Sequence, residues 1–458
     1  MTAALRLIAV SVAALLAAPT LSARQARTAA TLTQDQVFGW TRVWTATLAF
    51  TPEQWAGIEP TRNSGRRFFN EEWLQGAPGE RNGLAAARGI QYPYTQADLE
   101  LDGLRFPSVA VRYKGNGTFN AQSNRAFKNS LKIDLNKFVK GQKLAGVSTL
   151  NFHNAITDPS FMNEPMAYRL YRDAGIAAPR TAYVRVYITV KGQMERRYSG
   201  LYWLTENVDA NFVEAHLKVR GGSMFKPVSV SLFNDLGPRW ASYVQAFDPK
   251  DDPPAAEQQR IMELCRLVTR GSDAEFNAAI AGYVDIEAFA KYLAVTAWLN
   301  NWDSILERGQ NFYAFLHPAS HKLIFIPWDQ DHAFGNFGPQ PASSLLTGNI
   351  YRPSPNDGRF ITRMMGVPAF RQAYLSALRD YTRTLVRPER FAPLVAELAK
   401  AVRPDILKEP PKPAGPRNAM GGGPVVVFDE LAAGRGAGAI VPFVAARTKN
   451  VEGQLARP

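Results

Sequence analysis

Residues 322–336 read KLIFIPWDQDHAFGN and join an apolar run to a pair of carboxylates. The apolar residues 323–326 predict a short buried strand. This strand leads directly into Trp328, Asp329 and Asp331. Because a buried carboxylate is costly unless a cation lies beside it, the stretch predicts a cation at the end of the strand.

Two polar side chains earlier in the chain are expected to face the same strand end. An amphipathic helix predicted over 285–302 stops just before Asp303, and Asn311 opens a strand that forms a hairpin with the later one. The hairpin is expected to bring Asp303 and Asn311 close to Asp329 and Asp331. Oxygen ligands of this kind suit Mg²⁺ or Mn²⁺.

Other metal and hydrolase chemistries have weaker patterns in the chain. A calcium loop that starts at Asp329 would need an oxygen ligand at its fifth position, which is Ala333, and Glu at its twelfth, which is Gln340. The sequence contains no H-E-x-x-H zinc motif and no G-x-S-x-G nucleophile motif. A glycoside hydrolase needs only two carboxylates, and Asp303 with Asp329 keeps that alternative open.

The composition predicts a large folded protein. Its 458 residues are 46% hydrophobic and 11% aromatic, which is enough for one large domain or two intimate lobes. The formal charge of +13 fits either an acidic or phosphorylated partner or a solvated basic surface, because the basic residues are scattered. The single cysteine, Cys265, cannot form an intramolecular disulfide and is expected to be a small core residue.

The first residues, 1–26, have the pattern of a secretory signal peptide. Arg6 precedes an apolar run over residues 7–18, and Pro19 and small residues follow. The run is too short to span a bilayer, and no other segment approaches the roughly 18 apolar residues that a span needs. We therefore expect a secreted or periplasmic protein with no membrane span after signal removal.

Downstream, the pattern changes from strands to helices, which indicates an α+β fold. Residues 44–148 read as strands and turns, including a hairpin whose glycine-containing tip lies at Asn116. A helix within 158–178 and two more strands follow, and the chain is mainly helical from about residue 258. Residues 409–423 are too rich in Pro and Gly to pack regularly.

The order of these features matches the order that phosphoryl transfer uses. Protein kinases carry, along the chain, a glycine-rich loop, a strand lysine, a helix, strands to a hinge, and then the catalytic Asp, an Asn and the metal-binding Asp. A glycine turn, a lysine-bearing strand, a helix, two strands and the acidic hairpin occur here in that order. Phosphoryl transfer therefore accounts for more of the chain than calcium binding, zinc chemistry or glycoside hydrolysis.

Ordered segments along the chain resemble the spore-coat CotH kinase family. They are FPSVAVRYKGNGTF, FKNSLKIDL, DPSFMNEPMAYRLYRDAGIAAPRTAYVRVYI, YSGLYWLTENVDANFV, WLNNWDSILERGQNFYAF and IFIPWDQDHAFGN, with a C-terminal echo in FVAARTKNVEGQL. The similarity covers about residues 45–350. It implies an atypical protein-kinase-like, two-lobed α+β fold with a β-rich N-lobe and a mainly helical C-lobe.

This resemblance and the composition together predict how the chain is divided. The predicted segments are a signal peptide (1–26), a β-rich N-terminal lobe with one main helix (27–210), a helical C-terminal lobe with the catalytic hairpin (211–408), a Pro/Gly-rich loop (409–423) and a C-terminal segment that packs on the C-lobe (424–458).

In the C-terminal lobe, the resemblance implies a role for each polar residue of the hairpin region. Asp303 matches the catalytic Asp, and Asp329 and Asp331 match the metal ligands. Asn311 matches a residue of the metal shell, but it follows Asp303 by eight residues where five is usual in kinase catalytic loops. The alternative role for Asn311 is a buried strand amide that fixes the hairpin.

In the N-terminal lobe, the resemblance implies residues that contact the nucleotide. Lys132 occupies the strand position of the phosphate-contacting lysine, and Lys128 lies on the same face, so both are candidates. Glu164, on the helix, would pair with that lysine. The other candidates are Arg112 and Asn116, in the hairpin that covers the phosphates, and Glu206, where the hinge meets adenine.

The resemblance thus predicts an exported protein kinase that uses ATP with Mg²⁺ or Mn²⁺ to phosphorylate Ser or Thr hydroxyls of another protein. Its partners would be the nucleotide and the protein substrate, and no nucleic acid is expected. Because related kinase-like folds transfer AMP, the donor chemistry stays open. The alternatives are a non-catalytic, pseudokinase-like surface protein with a metal site and a glycoside hydrolase.

Overall fold

The computed structural model describes residues 32–62, 90–115, 127–228, 232–307, 309–336, 342–354, 358–409, 424–436 and 438–457. The predicted signal peptide (1–26), Asn116 and residues 410–423 of the predicted Pro/Gly-rich loop lie outside these ranges. Within these ranges, no helix combines the length and the apolar character that crossing a bilayer requires.

The N-terminal half of the described chain forms a closed β-barrel. Its strands are β1 (Val43–Phe50), β2 (Thr61–Arg62), β3 (Ile90–Gln91), β4 (Thr95–Leu101), β5 (Leu104–Tyr113), β6 (Leu131–Asp134), β7 (Thr149–His153), β8 (Thr181–Val190) and β9 (Met194–Glu206). The barrel order is β1-β4-β5-β6-β7-β9-β8, and β2 pairs only with β3. A parallel ladder between β1 and β8 closes the barrel, whereas its other ladders are antiparallel.

Alternating side chains explain why these segments close around a core. In β1 and in β4 every second residue is buried, as expected for strands with one face inward. Ala46, Leu48 and Leu99 belong to the apolar cluster that fills the barrel. Strand β9 begins at Met194, because its ladder with β8 continues to the Val190–Met194 pair.

The rest of the chain is mainly helical and carries a second sheet. The helices are α1 (Gln34–Val37), α2 (Pro52–Ala56), α3 (Asn163–Asp173), α4 (Ala210–Leu217), α5 (Val244–Phe247), α6 (Ala255–Arg270), α7 (Asp273–Ala279), α8 (Ile286–Leu299), α9 (Ala342–Leu346), α10 (Arg359–Gly366), α11 (Pro368–Thr384), α12 (Pro388–Ile406), α13 (Pro424–Ala432) and α14 (Ile440–Leu455). The second sheet has the order β10-β11-β12, from β10 (Ser223–Phe225), β11 (Phe312–Leu316) and β12 (Leu323–Pro327). The chain therefore has the predicted α+β class.

Helix α3 begins later than its sequence predicts. Asp158 followed by Pro159 has the sequence pattern of a helix cap and first turn. Asp158 lies five residues before the helix, yet its Oδ2 accepts the backbone N–H of Asn163 at 2.8 Å. Its Oδ1 accepts the N–H of Ser160 at 2.8 Å, so the intervening residues form a turn rather than the first helical turn. The helix ends at Asp173, and Gly175 has a left-handed backbone (φ 77°), in agreement with the predicted stop.

The predicted hairpin and the helix before it are confirmed. β11 and β12 pair in antiparallel register from Phe312–Pro327 to Leu316–Leu323. Helix α8 begins after Asp285, whose Oδ1 accepts the N–H of Ala288 at 3.0 Å. This helix ends at Leu299 rather than at residue 302, and the loop that carries the acidic residues starts there.

A buried arginine of α14 holds the C-terminal end of α8. Arg447 donates hydrogen bonds to the carbonyl oxygens of Trp298 (3.0 Å) and Ala297 (2.9 Å), and to those of Leu346 and Gly348 (2.9 and 2.8 Å). Carbonyl groups at a helix end lack partners within the helix, and a cation interacts favourably with that end of the helix dipole. The C-terminal helix thus supports the helix that leads into the acidic loop.

Candidate functional site

The site lies where the barrel, α3 and the end of β12 meet. The backbone N–H of Asp329, just after β12, donates a hydrogen bond to the Tyr168 hydroxyl on α3 at 2.9 Å. The ring of His153, at the end of β7, lies edge-on to Trp328 with 5.3 Å between the ring centroids. The predicted strand at 323–326 therefore places Asp329 where the barrel, α3 and the end of β12 meet.

Three residues that border the site have a left-handed backbone. They are Asn300 (φ 47°), Asn311 (φ 58°) and Asp329 (φ 52°). Residues other than glycine adopt this conformation at a cost of about 1 kcal/mol or more, and such residues concentrate at functional sites. The backbone N–H of Trp328 donates to the carbonyl of Asn311 at 3.0 Å and ties two of these bends together. The bends set the direction of the chain before the acidic loop and at Asp329 itself.

A hydrogen-bonded chain of side chains, Lys114–His153–Glu164, lines the barrel side of the site. Lys114 Nζ lies 2.6 Å from His153 Nε2, and His153 Nδ1 lies 2.8 Å from Glu164 Oε1. When Lys114 is charged, its ammonium group can only donate, so Nε2 accepts and the Nδ1–H of His153 donates to Glu164. The Thr205 hydroxyl donates to the same oxygen of Glu164 at 2.6 Å. Lys114 is therefore positioned by Glu164 through His153.

Burial sets the charge states along this chain. It lowers the pKa of His153 well below its usual range, and the charge of Lys114 acts in the same direction. Burial and the nearby Asp329 raise the pKa of Glu164 to about 8. Burial and Lys226 lower the pKa of Lys114. A bound divalent cation would favour the ionised form of Glu164, and a bound phosphate would favour the ionised form of Lys114.

Asp329 forms a compact group with His153 and Glu164. One ligand atom of each lies within 4.8 Å of the others, and the described ranges hold no second group of three such side chains as close. Glu164 Oε2 is buried and makes no well-formed hydrogen bond to a described residue, although the backbone amide of Gln330 is close enough to favour the ionised carboxylate. Since both His153 nitrogens are engaged, the carboxylates of Asp329 and Glu164 fit a hard cation best.

Asp303, in the loop after α8, is oriented by two side-chain amides. Asn311 Nδ2 donates to the backbone carbonyl of Asp303 at 2.8 Å and to its Oδ2 at 3.1 Å. Gln310 Nε2 donates to Asp303 Oδ1 at 2.5 Å. Asn311 therefore makes the contacts of an amide that ties the hairpin to the acidic loop, which is the alternative role left open by its spacing.

His332 lies between Asp303 and Asp331. Its Nε2 is 4.0 Å from Asp303 Oδ2 and 3.9 Å from Asp331 Oδ2. Burial acts to lower the pKa of His332, but Asp331 and Asp303 outweigh it and raise the pKa. Burial raises the pKa of Asp331 to about 7, and the Thr157 hydroxyl donates a hydrogen bond to its carboxylate. In its protonated form, which the two carboxylates favour, His332 balances part of their negative charge.

The predicted aspartates belong to two adjoining groups. The Lys114 group consists of Lys114, His153, Glu164 and Asp329, and the Asp303 group consists of Asp303, Asn311, Asp331 and His332. The two groups interact electrostatically, because the charge of Asp329 acts to raise the pKa of Asp331. Within the described residues, the three aspartates do not converge as one compact set of ligands in the way their sequence suggests.

The two candidate lysines have different surroundings. Lys132, in β6 opposite Arg112, is half-buried, and burial and Arg112 lower its pKa to about 8. Its charge also acts on Lys114, so it belongs to the same electrostatic neighbourhood. Lys128 is buried with its Nζ 2.8 Å from Glu409 Oε2. The structure brings Lys132 towards Lys114 and joins Lys128 to the C-terminal part of the chain.

Two other candidates lie at the ends of barrel strands. The Arg112 guanidinium, near the end of β5, lies 5.3 Å from the centre of the Tyr94 ring. Glu206, the last residue of β9, accepts hydrogen bonds from Arg180 (2.5 Å) and His216 (2.9 Å). The carboxylate of Glu206 is therefore engaged in ion pairs at its own strand end rather than with the Lys114 group.

Sequence reasoning missed Lys114, His153 and His332. Lys114 directly precedes the glycine of a predicted hairpin tip, and His332 directly follows Asp331. Adjacency to these two motifs is the sequence signal by which Lys114 and His332 could have been found. His153 had no such signal. Its contact with Glu164 depends on the pairing of β7 with β6 and β9, which no local pattern specifies.

The fold and the site define an α+β protein in which a barrel and a helical region surround a cluster of carboxylates and lysines. A family model described as CotH kinase protein matches residues 111–438, a span that contains every predicted site residue. The chain belongs to this family.

Two further similarities are more distant. The inner spore coat protein H-like protein of Bacillus subtilis (strain 168) is 25% identical over 281 residues, which cover 60% of this chain and 73% of that protein. In a solved complex of the Shewanella oneidensis MR-1 toxin–antitoxin system HipA, HipB and its operator DNA, one chain matches with 15% identity and a TM-score of 0.28. That match covers 68% of this chain and 59% of the other, and a likeness this remote carries no argument about the present fold.

Proposed function

We propose that this protein is an exported, metal-dependent protein kinase that transfers the γ-phosphate of ATP to Ser or Thr hydroxyls of another protein. Family membership supports kinase-like chemistry. The observation that carries the proposal is the Lys114–His153–Glu164 chain with Asp329 beside it. Kinases combine a strand lysine, a helix glutamate and a metal-binding aspartate, and here a histidine stands between the lysine and the glutamate.

The Lys114 group would bind the phosphate donor. Lys114 would donate hydrogen bonds to phosphate oxygens, and His153 and Glu164 would keep its ammonium group in position. Asp329 and Glu164 offer the carboxylate oxygens that Mg²⁺ or Mn²⁺ prefers, and Asp331 lies in the adjoining group. When bound, such a cation neutralises charge on the β- and γ-phosphates.

The Asp303 group would serve the acceptor hydroxyl. The amides of Asn311 and Gln310 hold the Asp303 carboxylate in one orientation. Asp303 would accept the proton of the Ser or Thr hydroxyl while the hydroxyl oxygen bonds to the γ-phosphorus and the bond to the β-phosphate oxygen breaks, which releases ADP. His332 would limit the repulsion between Asp303 and the incoming phosphate.

The transfer reaction tests this proposal directly. Purified protein is incubated with γ-labelled or α-labelled ATP, Mg²⁺ or Mn²⁺ and a panel of acceptor proteins. Asp303→Asn and Asp329→Asn are run beside Asp252→Asn, which changes an exposed aspartate outside the site. The proposal expects label from γ-ATP on Ser or Thr, lost in the two site variants and kept in the control.

The other outcomes contradict the proposal and distinguish its alternatives. Label from α-ATP alone would indicate AMP transfer. Metal-dependent stabilisation without transfer from either nucleotide would indicate a non-catalytic binding protein. Release of sugar from a glycan panel, lost in both site variants, would indicate a glycoside hydrolase.

Export is the part of the proposal that rests on the pattern of residues 1–26. Expression of the full chain in a bacterial host, followed by fractionation and N-terminal sequencing, tests it. We expect a shortened protein in the periplasm or the medium. A full-length protein retained in the cytoplasm would contradict export without affecting the kinase proposal.

A further inference from the structure

Lysines from three segments of the chain lie in one electrostatic neighbourhood, and two of them contact Trp328. Lys114 follows β5, Lys132 lies in β6 and Lys226 directly follows β10. The ammonium group of Lys114 is 4.9 Å from the centroid of the Trp328 ring, and that of Lys226 is 5.3 Å from the same centroid. The indole is thus contacted by one lysine from the barrel side and one from the second sheet.

The half-buried Lys226 has different partners from the buried Lys128 and from the exposed Lys250. Lys128 pairs with Glu409 at 2.8 Å, and Lys250 pairs with Asp248 at 2.5 Å. Within the described residues, the ammonium group of Lys226 makes no ion pair or hydrogen bond, and its direct partners are the rings of Trp328 and Tyr313, at 5.3 and 5.5 Å. An aromatic ring attracts a cation but cannot replace an anion.

Two lysines and two aspartates act on the charge of Lys226. Burial and Lys250 lower its pKa to about 8, and Lys132 acts in the same direction, while Asp329 and Asp248 oppose them. Lys226 in turn lowers the pKa of Lys114. A protein that holds several lysines this close, away from full hydration, gains most from a ligand with several negative charges.

The backbone around Lys226 is firmly held. Its preceding residue, Phe225, pairs with Ala314 of β11, and its own N–H donates to the carbonyl of Phe247 at 3.0 Å. The lysine is therefore presented from the sheet that also carries β12 and Asp329. Lys114 and Lys226 therefore approach the same indole ring from two different sheets.

We infer that Lys226 is a phosphate-binding residue, and that Lys114, Lys132 and Lys226 together bind the polyphosphate chain of a nucleoside triphosphate. This inference deepens the proposed function and rests on it for the identity of the nucleotide. A polyphosphate carries several negative charges along its length and can contact more than one of these lysines. A monophosphate carries only about two negative charges at neutral pH, fewer than the three lysines together can neutralise.

The test measures binding of ATP, AMP and inorganic tripolyphosphate to the full chain by titration calorimetry. Lys226→Met removes the charge and keeps an apolar stem, whereas Lys226→Arg keeps the charge. Lys191→Met, at an exposed turn, is the matched control. We expect Lys226→Met to weaken ATP and tripolyphosphate binding about tenfold, as for loss of one charge-assisted hydrogen bond, with little change for AMP. Lys226→Arg and Lys191→Met should stay within about threefold of the unmodified protein.

The same titrations separate this inference from the kinase proposal. Lys226→Met should fold with an unchanged or raised melting temperature, because it removes a repelled charge. Tripolyphosphate binding that depends on Lys226 but comes with no transfer activity would uphold the inference and contradict the kinase. Phosphate transfer with Lys226→Met binding ATP as tightly as the unmodified protein would overturn the inference and leave the kinase intact. Absence of any polyphosphate binding by the unmodified protein would also overturn it.

Discussion

The Asp303 group and the Lys114 group are built in different ways. The Asp303 group comes from one continuous region, the loop after α8 together with the β11–β12 hairpin and the residues that follow it. The Lys114 group takes a residue from each of four places, namely the ends of β5, β7 and β12 and the first turn of α3. Local sequence therefore assembles one group, whereas closure of the barrel assembles the other.

The two groups also differ in their electrostatics. The Lys114 group places a lysine, an imidazole and two acidic side chains in series, and burial is the main cause of the pKa shifts of Lys114, His153 and Glu164. The Asp303 group sets two carboxylates around one histidine whose pKa they raise. This contrast suits a phosphate donor at the Lys114 group and an acceptor hydroxyl at the Asp303 group. The following variants test that division.

Asp329→Asn should have the largest effect, because it removes the carboxylate that joins the Lys114 group to the end of β12. We expect the rate of transfer from γ-labelled ATP to fall about 10³-fold, as for loss of one major electrostatic contact in the transition state. Asp252→Asn, at an exposed position, should leave the rate unchanged. If Asp329→Asn kept more than about a tenth of the rate, Asp329 would not be a residue on which the transfer reaction depends.

Arg447→Met tests whether the Asp303 group depends on support from α14. The substitution removes five hydrogen bonds, four of them to backbone carbonyls, and leaves the end of α8 without its cation. We expect the free energy of unfolding to fall by about 3 kcal/mol in a urea titration. The exposed Arg379→Met is the control. An unchanged midpoint for Arg447→Met would mean that the carbonyls find other partners.

Variants of His153 test the connection inside the Lys114 group. His153→Leu breaks the link between Lys114 and Glu164 and should lower kcat about a hundredfold. His153→Gln has an oxygen that can accept from Lys114 and an NH₂ that can donate to Glu164, so it should recover at least about tenfold of that loss. Steady-state kinetics with separate kcat and KM for ATP provide the measurement. Equal activity of the two variants would show that the histidine only fills space.

Lys132→Met and Lys128→Met separate two lysines that the sequence could not. Lys132→Met should weaken ATP binding about fivefold to tenfold and leave thermal stability unchanged, because it removes one member of the crowded cationic neighbourhood. Lys128→Met should leave ATP binding unchanged and lower the melting temperature, because Glu409 loses its buried partner. Calorimetry and thermal melts could show the reverse, with weaker ATP binding for Lys128→Met and a lower melting temperature for Lys132→Met. That result would place Lys128, rather than Lys132, at the phosphate site.

The pH dependence of ATP binding should show the smallest effect. The pKa values of Lys132 and Lys226 are lowered to about 8, mainly by burial. Lysine is charged below its pKa and neutral above it, so ATP should bind at full strength below about pH 8 and several-fold more weakly at about pH 9. Binding near pH 8 should take up protons, visible as a dependence of the binding enthalpy on the buffer. Constant affinity across this range would contradict the cationic role of both lysines.

The Asp303 group was predictable because its parts are close in sequence. The apolar runs of β11 and β12 and the helical periodicity of α8 fix where the acidic loop and the hairpin end must lie. The sequence allows two roles for Asn311, a residue of the metal shell or an amide that fixes the hairpin. Its hydrogen bonds to Asp303 are those of an amide that fixes the hairpin. A left-handed backbone at Asn311 directs that amide, and no sequence pattern reports a single backbone angle.

The Lys114 group was only half predictable. Glu164 and Asp329 lie at the positions that the kinase-like chain order predicts. The phosphate-contacting lysine predicted from the sequence is Lys132, in β6. The ammonium that reaches Glu164 belongs to Lys114, and it does so through His153. That arrangement depends on the register between β5, β6 and β7, and a shift of one residue would turn each of these side chains to the other face of the barrel.

The amino-acid sequence alone established the α+β class, the kinase-like order of features and the acidic hairpin, because periodicity and turn residues act over short distances along the chain. Closure of the barrel and its packing on α3 and the second sheet decided that His153 joins Lys114 to Glu164 and that Lys226 contacts the same Trp328 ring as Lys114. The physical reason is that burial and proximity between distant strands, which set both the contacts and the pKa values of these groups, exist only once the chain has folded.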